Sequence, residues 1–561
     1  MARFPSPSSQ PVSRHGRIWG QATWQLLSVL LIWLYLWSLQ LDNDGLWYRG
    51  DAARHALNGF FWIDYLRDFT WDAKDYALSY YARYPAIDPA TRPPLFYLLE
   101  GVAFTLFGPS PYVAKGLVLW FALLAAVYLW AWLRRWISEE AGWAVGLFLL
   151  LPGISRWSHA VMLNVPAVAF SLAALYHARC WLEAPGGSRR DSWFATVLTL
   201  CALFTYYTAS VVVFALAGYV MFHRGLGRLS GRKNPFLFVL TPVALLPFAW
   251  LMVHWAPTQL SWIISKPLDV ITFATWTFYP KQVVGLCNLH LLVFAVLGAA
   301  SFLWSSRWRH EVMGLGIWIV ALYVPLTLIG AKELRYALLL SAPLLGLATI
   351  AVVQVCEGIA MQLSLARVTS RTLTVAAFLA LLLWQVGAAA TYRVMAVSGY
   401  QDVAAFMAQV APEEPVLYDG FYDGTFAFYM RAGDERLRRR VVLGNKLLYT
   451  SALFVDAHRQ EFVHSPEDVI EVLRQRGGCR WLAIEMGSGT ENIASMRYVR
   501  QAVKTAAFAL VRSFPIRGPQ TDRVDVYRFT LPIEAVDAIE LPFALLGPEV
   551  KYRVRPIPPR P

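Results

Sequence analysis

The sequence predicts an all-α polytopic membrane protein with about eleven transmembrane helices, followed by a C-terminal exoplasmic α/β domain. Three observations carry that expectation. The 561 residues are 57% hydrophobic and only 16% charged, which is too apolar for an ordinary soluble protein. Apolar stretches, most of roughly 18–24 residues, recur from Ile18 to Tyr392, and each is long enough to cross a hydrocarbon core. Basic residues gather in short clusters between these stretches, where they set topology.

The spans are placed at 18–40, 114–133, 141–158, 163–182, 192–206, 207–222, 235–254, 288–304, 312–329, 336–354 and 372–392. Basic clusters then follow even-numbered spans: Arg134/Arg135, Arg189/Arg190, Arg224/Arg228/Arg232/Lys233 and Arg307/Arg309, with Arg367 and Arg371 after the tenth. Together with Arg14 and Arg17 in the 1–17 tail they share one side, which is the cytoplasmic one. An odd number of spans carries the C-terminal region outside. The fifth and sixth spans divide at Tyr206-Tyr207, because merging them would put every later basic loop on the wrong side. The formal charge of +13 is taken up by these loops, and the soluble basic face that nucleic acid needs is missing.

Within a transmembrane domain over 18–393, the first exoplasmic loop (41–113) is long. Its stretches 51–69 and 71–84 place Trp, Tyr and Phe beside charge, a pattern expected to lie flat at the interface. The apolar stretch 95–107 is too short to span and reads as interfacial or re-entrant. A second outer loop, 255–285, carries Trp262, Lys266, Trp276, Tyr279 and Lys281. Over 394–550 short apolar runs (415–418, 441–443, 481–484, 507–511, 524–529) alternate with helical patterns at 466–476 and 491–504, as in an α/β domain. The Pro/Arg-rich end, 551–561, is expected to lack fixed structure. The five cysteines show no CxxC and no pairing with histidine, so neither a disulfide framework nor a metal site follows from them. The polar start and the long first span read as an uncleaved anchor.

Ionisable groups at a membrane surface are costly unless paired or put to use. Asp51 opens the stretch 51–69, where it serves either as a helix N-cap or as a reactive carboxylate, and Arg54 one turn later is placed to pair with it. Arg92 precedes Pro93-Pro94, a stiff turn that drives it into an extended conformation. Lys332 and Arg335, in Lys332-Glu333-Leu334-Arg335-Tyr336, put further cations on the outside, where basic residues are disfavoured. Outer cations suit an anionic headgroup or a phosphate. Asn164 lies at the outer end of the fourth span, two residues before Pro166. His55, His159 and His290 are placed outside without ligand spacing.

In their order and spacing these pieces resemble the GT-C membrane glycosyltransferases, in the branch of the protein O-mannosyltransferases and lipid A aminoarabinose transferases. The resemblance runs over about 18–390 through Asp51, Arg92-Pro93-Pro94-Leu95, Leu106-Phe107-Gly108, Arg134-Arg135, Leu163-Asn164 and the Lys332–Tyr336 motif. Three positions depart from the family pattern: Ala52 where Glu is usual, Arg92 where Lys is common, and Asn164 where Asp is usual. Those departures leave Asp51 as the base carried over and weaken any metal-dependent version.

The resemblance implies a sugar donor on a polyprenyl phosphate at the outer leaflet of a bacterial or archaeal cell membrane. Asp51 would be the general base for a hydroxyl of a lipid, glycan or protein acceptor, with inversion. Arg54, Arg92, Asn164, Lys332, Arg335 and Tyr336 are the substrate-binding candidates, the cations stabilising the leaving phosphate. No metal or other cofactor is called for, because cations can neutralise a monophosphate. Two other readings stay open: a polyprenyl-lipid transporter or flippase, and an inactive GT-C-like assembly partner.

Overall fold

The computed structural model describes residues 15–40, 44–47, 50–89, 92–184, 188–224, 272–329, 332–392, 394–450, 460–534, 539–542, 551–555 and 558–560. The predicted seventh span, 235–254, and Trp262 and Lys266 of the second outer loop lie outside these residues. Every other predicted span coincides with helical structure. Helix α1 covers His15–Ser38, and after the outer loop come α5 (Pro111–Trp136), α6 (Val145–Leu150), α7 (Pro152–Ser158), α8 (Asn164–Glu183), α9 (Arg189–Thr205) and α10 (Val211–Arg224). By length and composition, five helices among the described residues can cross a membrane: Pro111–Trp136, Asn164–Glu183, Arg309–Leu328, Leu334–Gln362 and Thr369–Ala389. A pair bent by 114°, Phe273–Cys287 with Leu289–Leu303, would make a sixth.

The breaks between these helices have local causes. Between α6 and α7, Leu151 is extended (φ −61°, ψ 141°) because Pro152 follows it. Between α9 and α10, Tyr206 is extended (φ −156°, ψ 131°), and a short 3-10 turn over Tyr207–Ser210 restarts the chain. α5 is started by Ser110, whose side chain accepts from the Val113 amide, and it ends with Arg134 and Arg135 against its carbonyl end.

The loop expected to lie outside folds into α2 (Asp51–Asp68), α3 (Ala73–Arg83) and α4 (Leu95–Phe107). The sequence reading lays 51–69 flat on the lipid interface; the structure instead covers the apolar face of α2 with protein. On one side α4 comes close enough that a Cβ at Gly101 would lie 2.7 Å from the Gly59 carbonyl oxygen, so glycine is required there. On the other side lies the helix Asp423–Ala432. Phe60 joins the three, its ring 4.9 Å from that of Phe104 and 5.7 Å from that of Phe428. Phe60, Phe61, Tyr76 and Tyr80, which look like lipid anchors in the sequence, are core residues here, while Phe69 and Trp71 stay exposed.

The five short apolar runs after residue 394 are the strands of one sheet: β3 (Pro415–Asp419), β4 (Arg440–Leu443), β7 (Trp481–Met486), β8 (Phe508–Pro515) and β9 (Arg523–Phe529), in the order β4-β3-β7-β9-β8. β3 runs parallel to β4 and β7, while β9 is antiparallel to β7 and β8. Parallel strands need covered faces; the helix Asp423–Ala432 lies in the crossover from β3 to β4, and Tyr400–Val410, which leads into β3, packs against it. Three short antiparallel pairs complete the strands: β1 (Leu46–Trp47) with β2 (Ala396–Val397), β5 (Tyr449–Thr450) with β6 (Gln460–Glu461), and β10 (Ile539–Pro542) with β11 (Lys551–Val554). The first ties the outer loop to the entry of the sheet region. The tail expected to lack structure holds β11 and an anchored Arg560, which bonds Asp64 and Asp68 of α2 at 3.0 and 2.7 Å. Its arginine finds a carboxylate pair that composition alone does not reveal.

Candidate active site

Gly50 occupies the cap position of α2, and Asp51 is the first residue inside the helix. That removes the N-cap role considered from the sequence and frees the carboxylate for other partners. Arg335, in the short 3-10 helix Leu334–Leu340, donates from Nη2 to Asp51 Oδ2 at 3.0 Å. Arg92 Nη2 stands 4.0 Å from the other oxygen, Oδ1, an ion pair without a close hydrogen bond. Asp51 therefore lies between two guanidiniums that come from distant parts of the chain. Its side chain keeps 25% of its surface accessible, so a substrate group can reach it.

The electrostatics follow from this placement. Burial by itself would raise the Asp51 pKa, but the charges of Arg92 and Arg335 outweigh it and hold the carboxyl well below the usual carboxylate range. Asp51 is ionised throughout the physiological range. His55, one turn further along α2, is pushed the other way: burial, then the Arg92 charge, lowers its pKa well below that of free histidine. The imidazole is neutral, with Nδ1 2.8 Å from the Tyr97 hydroxyl.

The environment of Arg335 fixes its direction. Its guanidinium sits over the rings of Trp47, Trp157 and Tyr336 at 5.8, 5.7 and 5.7 Å, an aromatic setting that suits the weakly hydrated guanidinium. Glu333 shares the same cation, its Oε1 accepting from Nη2 at 2.9 Å. Asn164, at the start of α8, donates from Nδ2 to the Arg335 carbonyl at 3.2 Å, so it positions the Arg335 backbone. An aspartate, without a donor, could not make that bond.

The structure thus brings Asp51, Arg92, Arg335, Tyr336 and Asn164 into one site. Two predicted members turn elsewhere. Arg54, expected to pair with Asp51, forms its ion pair with Asp423 at 3.3 Å, because the helix Asp423–Ala432 presents that carboxylate to the same turn of α2. Asn445 Nδ2 donates to the same Asp423 oxygen at 2.9 Å. Lys332 donates to the Ile329 carbonyl at 2.7 Å. Asp423 and Asn445 were missed because nothing local marks them, and they lie in the sheet region. Trp47, Trp157, Tyr206 and Tyr207 were also missed as site residues. The tyrosine pair was visible as a helix break, and that break sets both rings within electrostatic reach of Arg92, with Tyr206 6.3 Å from Tyr336. Among the described residues no group of three or more His, Cys, Asp and Glu side chains is placed to hold a metal ion, and all five cysteines are free thiols.

No protein-family model matches the chain, and no curated protein matches it by sequence. Solved structures do match it by shape. ArnT from Cupriavidus metallidurans bound to undecaprenyl phosphate aligns with a TM-score of 0.59 at 16% identity, over 92% of this chain and 99% of that one. The same protein in the apo state gives 0.58 at 17% identity, over 90% and 98%. The archaeal oligosaccharyltransferase AglB from Archaeoglobus fulgidus, in complex with an inhibitory peptide and a dolichol-phosphate, gives 0.51 at 13% identity, over 89% of this chain and 75% of that one. At such identities shape is what is shared, and the shared shape is the GT-C fold of membrane glycosyltransferases.

Proposed function

We propose that the protein is an inverting membrane glycosyltransferase that moves a sugar from a polyprenyl-phosphate donor to a hydroxyl of a lipid, glycan or protein acceptor at the exoplasmic face. The observation that carries this is the Asp51 carboxylate flanked by Arg92 and Arg335. The solved structures similar to this chain add support, one holding undecaprenyl phosphate and another a dolichol-phosphate.

In this mechanism Asp51 takes the proton of the acceptor hydroxyl as its oxygen bonds to the anomeric carbon. The bond from that carbon to the phosphate oxygen breaks, and the electron pair leaves with the polyprenyl phosphate. Arg92 and Arg335 take up the charge that develops there, and Arg suits this because its planar fork offers two donors at once. Lys332, bonded to the Ile329 carbonyl, drops out of the donor set in this reading, and Tyr336 walls the Arg335 guanidinium.

A carboxylate held down by two guanidiniums is a poor base. When a donor phosphate arrives, those guanidiniums turn to it, the field on Asp51 weakens, and its proton affinity rises. The donor therefore switches on the base, which protects the site from idle proton exchange. Arg54 leaves the substrate-binding set in this reading and serves as the bridge to the sheet region through Asp423.

The test is turnover by the purified full chain with a panel of radiolabelled polyprenyl-phosphate sugars and mixed acceptors. Release of unglycosylated polyprenyl phosphate that depends on Asp51 is expected. Equal release by wild type and Asp51→Asn, or none with any sugar, sinks the assignment. Movement of intact donor between leaflets without sugar transfer would make the protein a transporter.

A further inference from the structure

The Arg335 guanidinium has no open side. Its side chain keeps only 6% of its surface accessible. The rings of Trp47, Trp157 and Tyr336 pack about it, and Nη1 faces Met162 Sδ at 3.7 Å. Two carboxylates hold what remains. Asp51 Oδ2 accepts from Nη2 at 3.0 Å, and Glu333 Oε1 accepts from the same nitrogen at 2.9 Å. Glu333 Oε2 also lies 2.7 Å from Nε, which is sealed from solvent. A phosphate can therefore meet this guanidinium only by displacing a carboxylate.

The two carboxylates differ in how readily they can leave. Asp51 belongs to α2, a helix of 18 residues held by protein on its apolar face, and its other oxygen faces Arg92. Glu333 stands outside regular structure. It precedes the 3-10 helix Leu334–Leu340 in an extended conformation (φ −135°, ψ 145°), and its side chain makes no capping bond. Its side chain is 43% accessible, against 25% for Asp51. Among the described residues Arg335 is the one hydrogen-bond partner of its carboxylate. A carboxylate and a phosphate each offer a guanidinium two oxygens, so the one can stand in for the other.

On the reading of Arg335 as a ligand of the donor phosphate, we propose that Glu333 is a positioning residue whose carboxylate keeps the place on Arg335 that the phosphate takes. Without donor the site is balanced, Asp51 and Glu333 against Arg92 and Arg335, so no bare cation pair is left in a poorly solvated space. When the donor enters, Glu333 turns to solvent and the phosphate takes the Nε–Nη2 edge beside Asp51. Glu333 therefore competes with the donor and sets its affinity. An anion recovers more than the lost Glu333 contact only if Arg92 grips it as well, which favours a phosphate seated between both arginines over a lone carboxylate.

The test measures binding of undecaprenyl phosphate to the purified full chain in detergent, which needs no turnover. Glu333→Gln keeps size and an acceptor oxygen but loses the charge. It should bind about tenfold tighter than wild type, the step expected when a charge-assisted hydrogen bond becomes a neutral one. Glu333→Asp, with the charge on a shorter arm, should fall in between. In an Arg335→Gln background the tightening by Glu333→Gln should vanish, because Glu333 acts through that guanidinium; a general effect of removing a negative charge would persist there. Equal or weaker binding by Glu333→Gln overturns the proposal, as does tightening that persists without Arg335. Tightening that depends on Arg335, with no transfer of any sugar, upholds the placeholder and sinks the transferase reading alone. No binding by wild type or any variant overturns both.

Discussion

Arg335 donates a 3.0 Å hydrogen bond to Asp51 across a separation of 284 residues. The bond joins the first residue of α2 to the start of the apolar helix Leu334–Gln362, and it closes the site around one carboxylate. Arg92 approaches the other oxygen more loosely, at 4.0 Å. The pair is asymmetric: Arg335 holds Asp51 by a hydrogen bond, and Arg92 stands off at ion-pair distance, which in the proposed function leaves it the freer of the two to meet a phosphate.

Asp51→Asn should reduce turnover by about 10²–10⁴-fold, the span expected for loss of a general base. The helix start should survive, because Gly50 and not Asp51 occupies the cap position. Expression and donor binding are therefore expected to stay close to wild type. Turnover above about a tenth of normal in a folded variant, outside that span, would remove Asp51 from the role of base.

Arg92→Lys should keep partial activity, since the charge remains while the two-pronged geometry is lost. Arg92→Ala should lose more, by roughly 2–4 kcal/mol of transition-state stabilisation if it acts like a removed oxyanion donor. Steady-state kinetics on both variants decides this. Near-wild-type rates in each would leave Arg92 as an interface anchor.

The pH profile should split. In the free enzyme the arginine charges depress the Asp51 pKa, so kcat/KM for the donor should show no acid limb from Asp51 near neutrality. With donor bound, the arginines turn to phosphate, and the acid limb of kcat should lie at higher pH than that of kcat/KM. The stability term has the sign usual for a depressed carboxyl. It is present above the unfolded pKa of about 3.9 and is lost only as pH falls through the lower folded value. Coincident acid limbs in the two profiles would contradict the proposed switching of the base.

Arg54 and Asp423 should be energetically coupled. A double-mutant cycle on Arg54→Ala and Asp423→Ala, read by thermal unfolding of the full chain, should give an interaction of about 0.5–3 kcal/mol. Arg54→Ala should also leave the enclosed Asp423, 6% exposed at its side chain, without its cation, which is the costlier half of such a pair. A coupling near zero would show that the sheet region reaches the outer loop by apolar packing alone.

The sequence by itself determined the helices and strands, because hydrophobic periodicity is a local property. The Tyr206-Tyr207 break and the five strand runs were written in neighbouring residues, whereas one span, 141–158, was read straight across the break that Pro152 makes. It also singled out Asp51, Arg92 and Arg335, since charge at an apolar boundary stands out against its surroundings. Which charges pair was decided by tertiary structure. Arg54 lies one turn from Asp51 in sequence, yet it bonds Asp423; Arg335, far away in sequence, takes the place expected for Arg54. An ion pair depends on which side chains packing brings within about 4 Å in a poorly screened space, and that distance is set by how α2 is held between α4 and the helix Asp423–Ala432. The same packing turned the aromatic face of α2 from lipid to protein and pinned Arg560 to Asp64. Local pattern supplies the groups, and long-range burial chooses their partners.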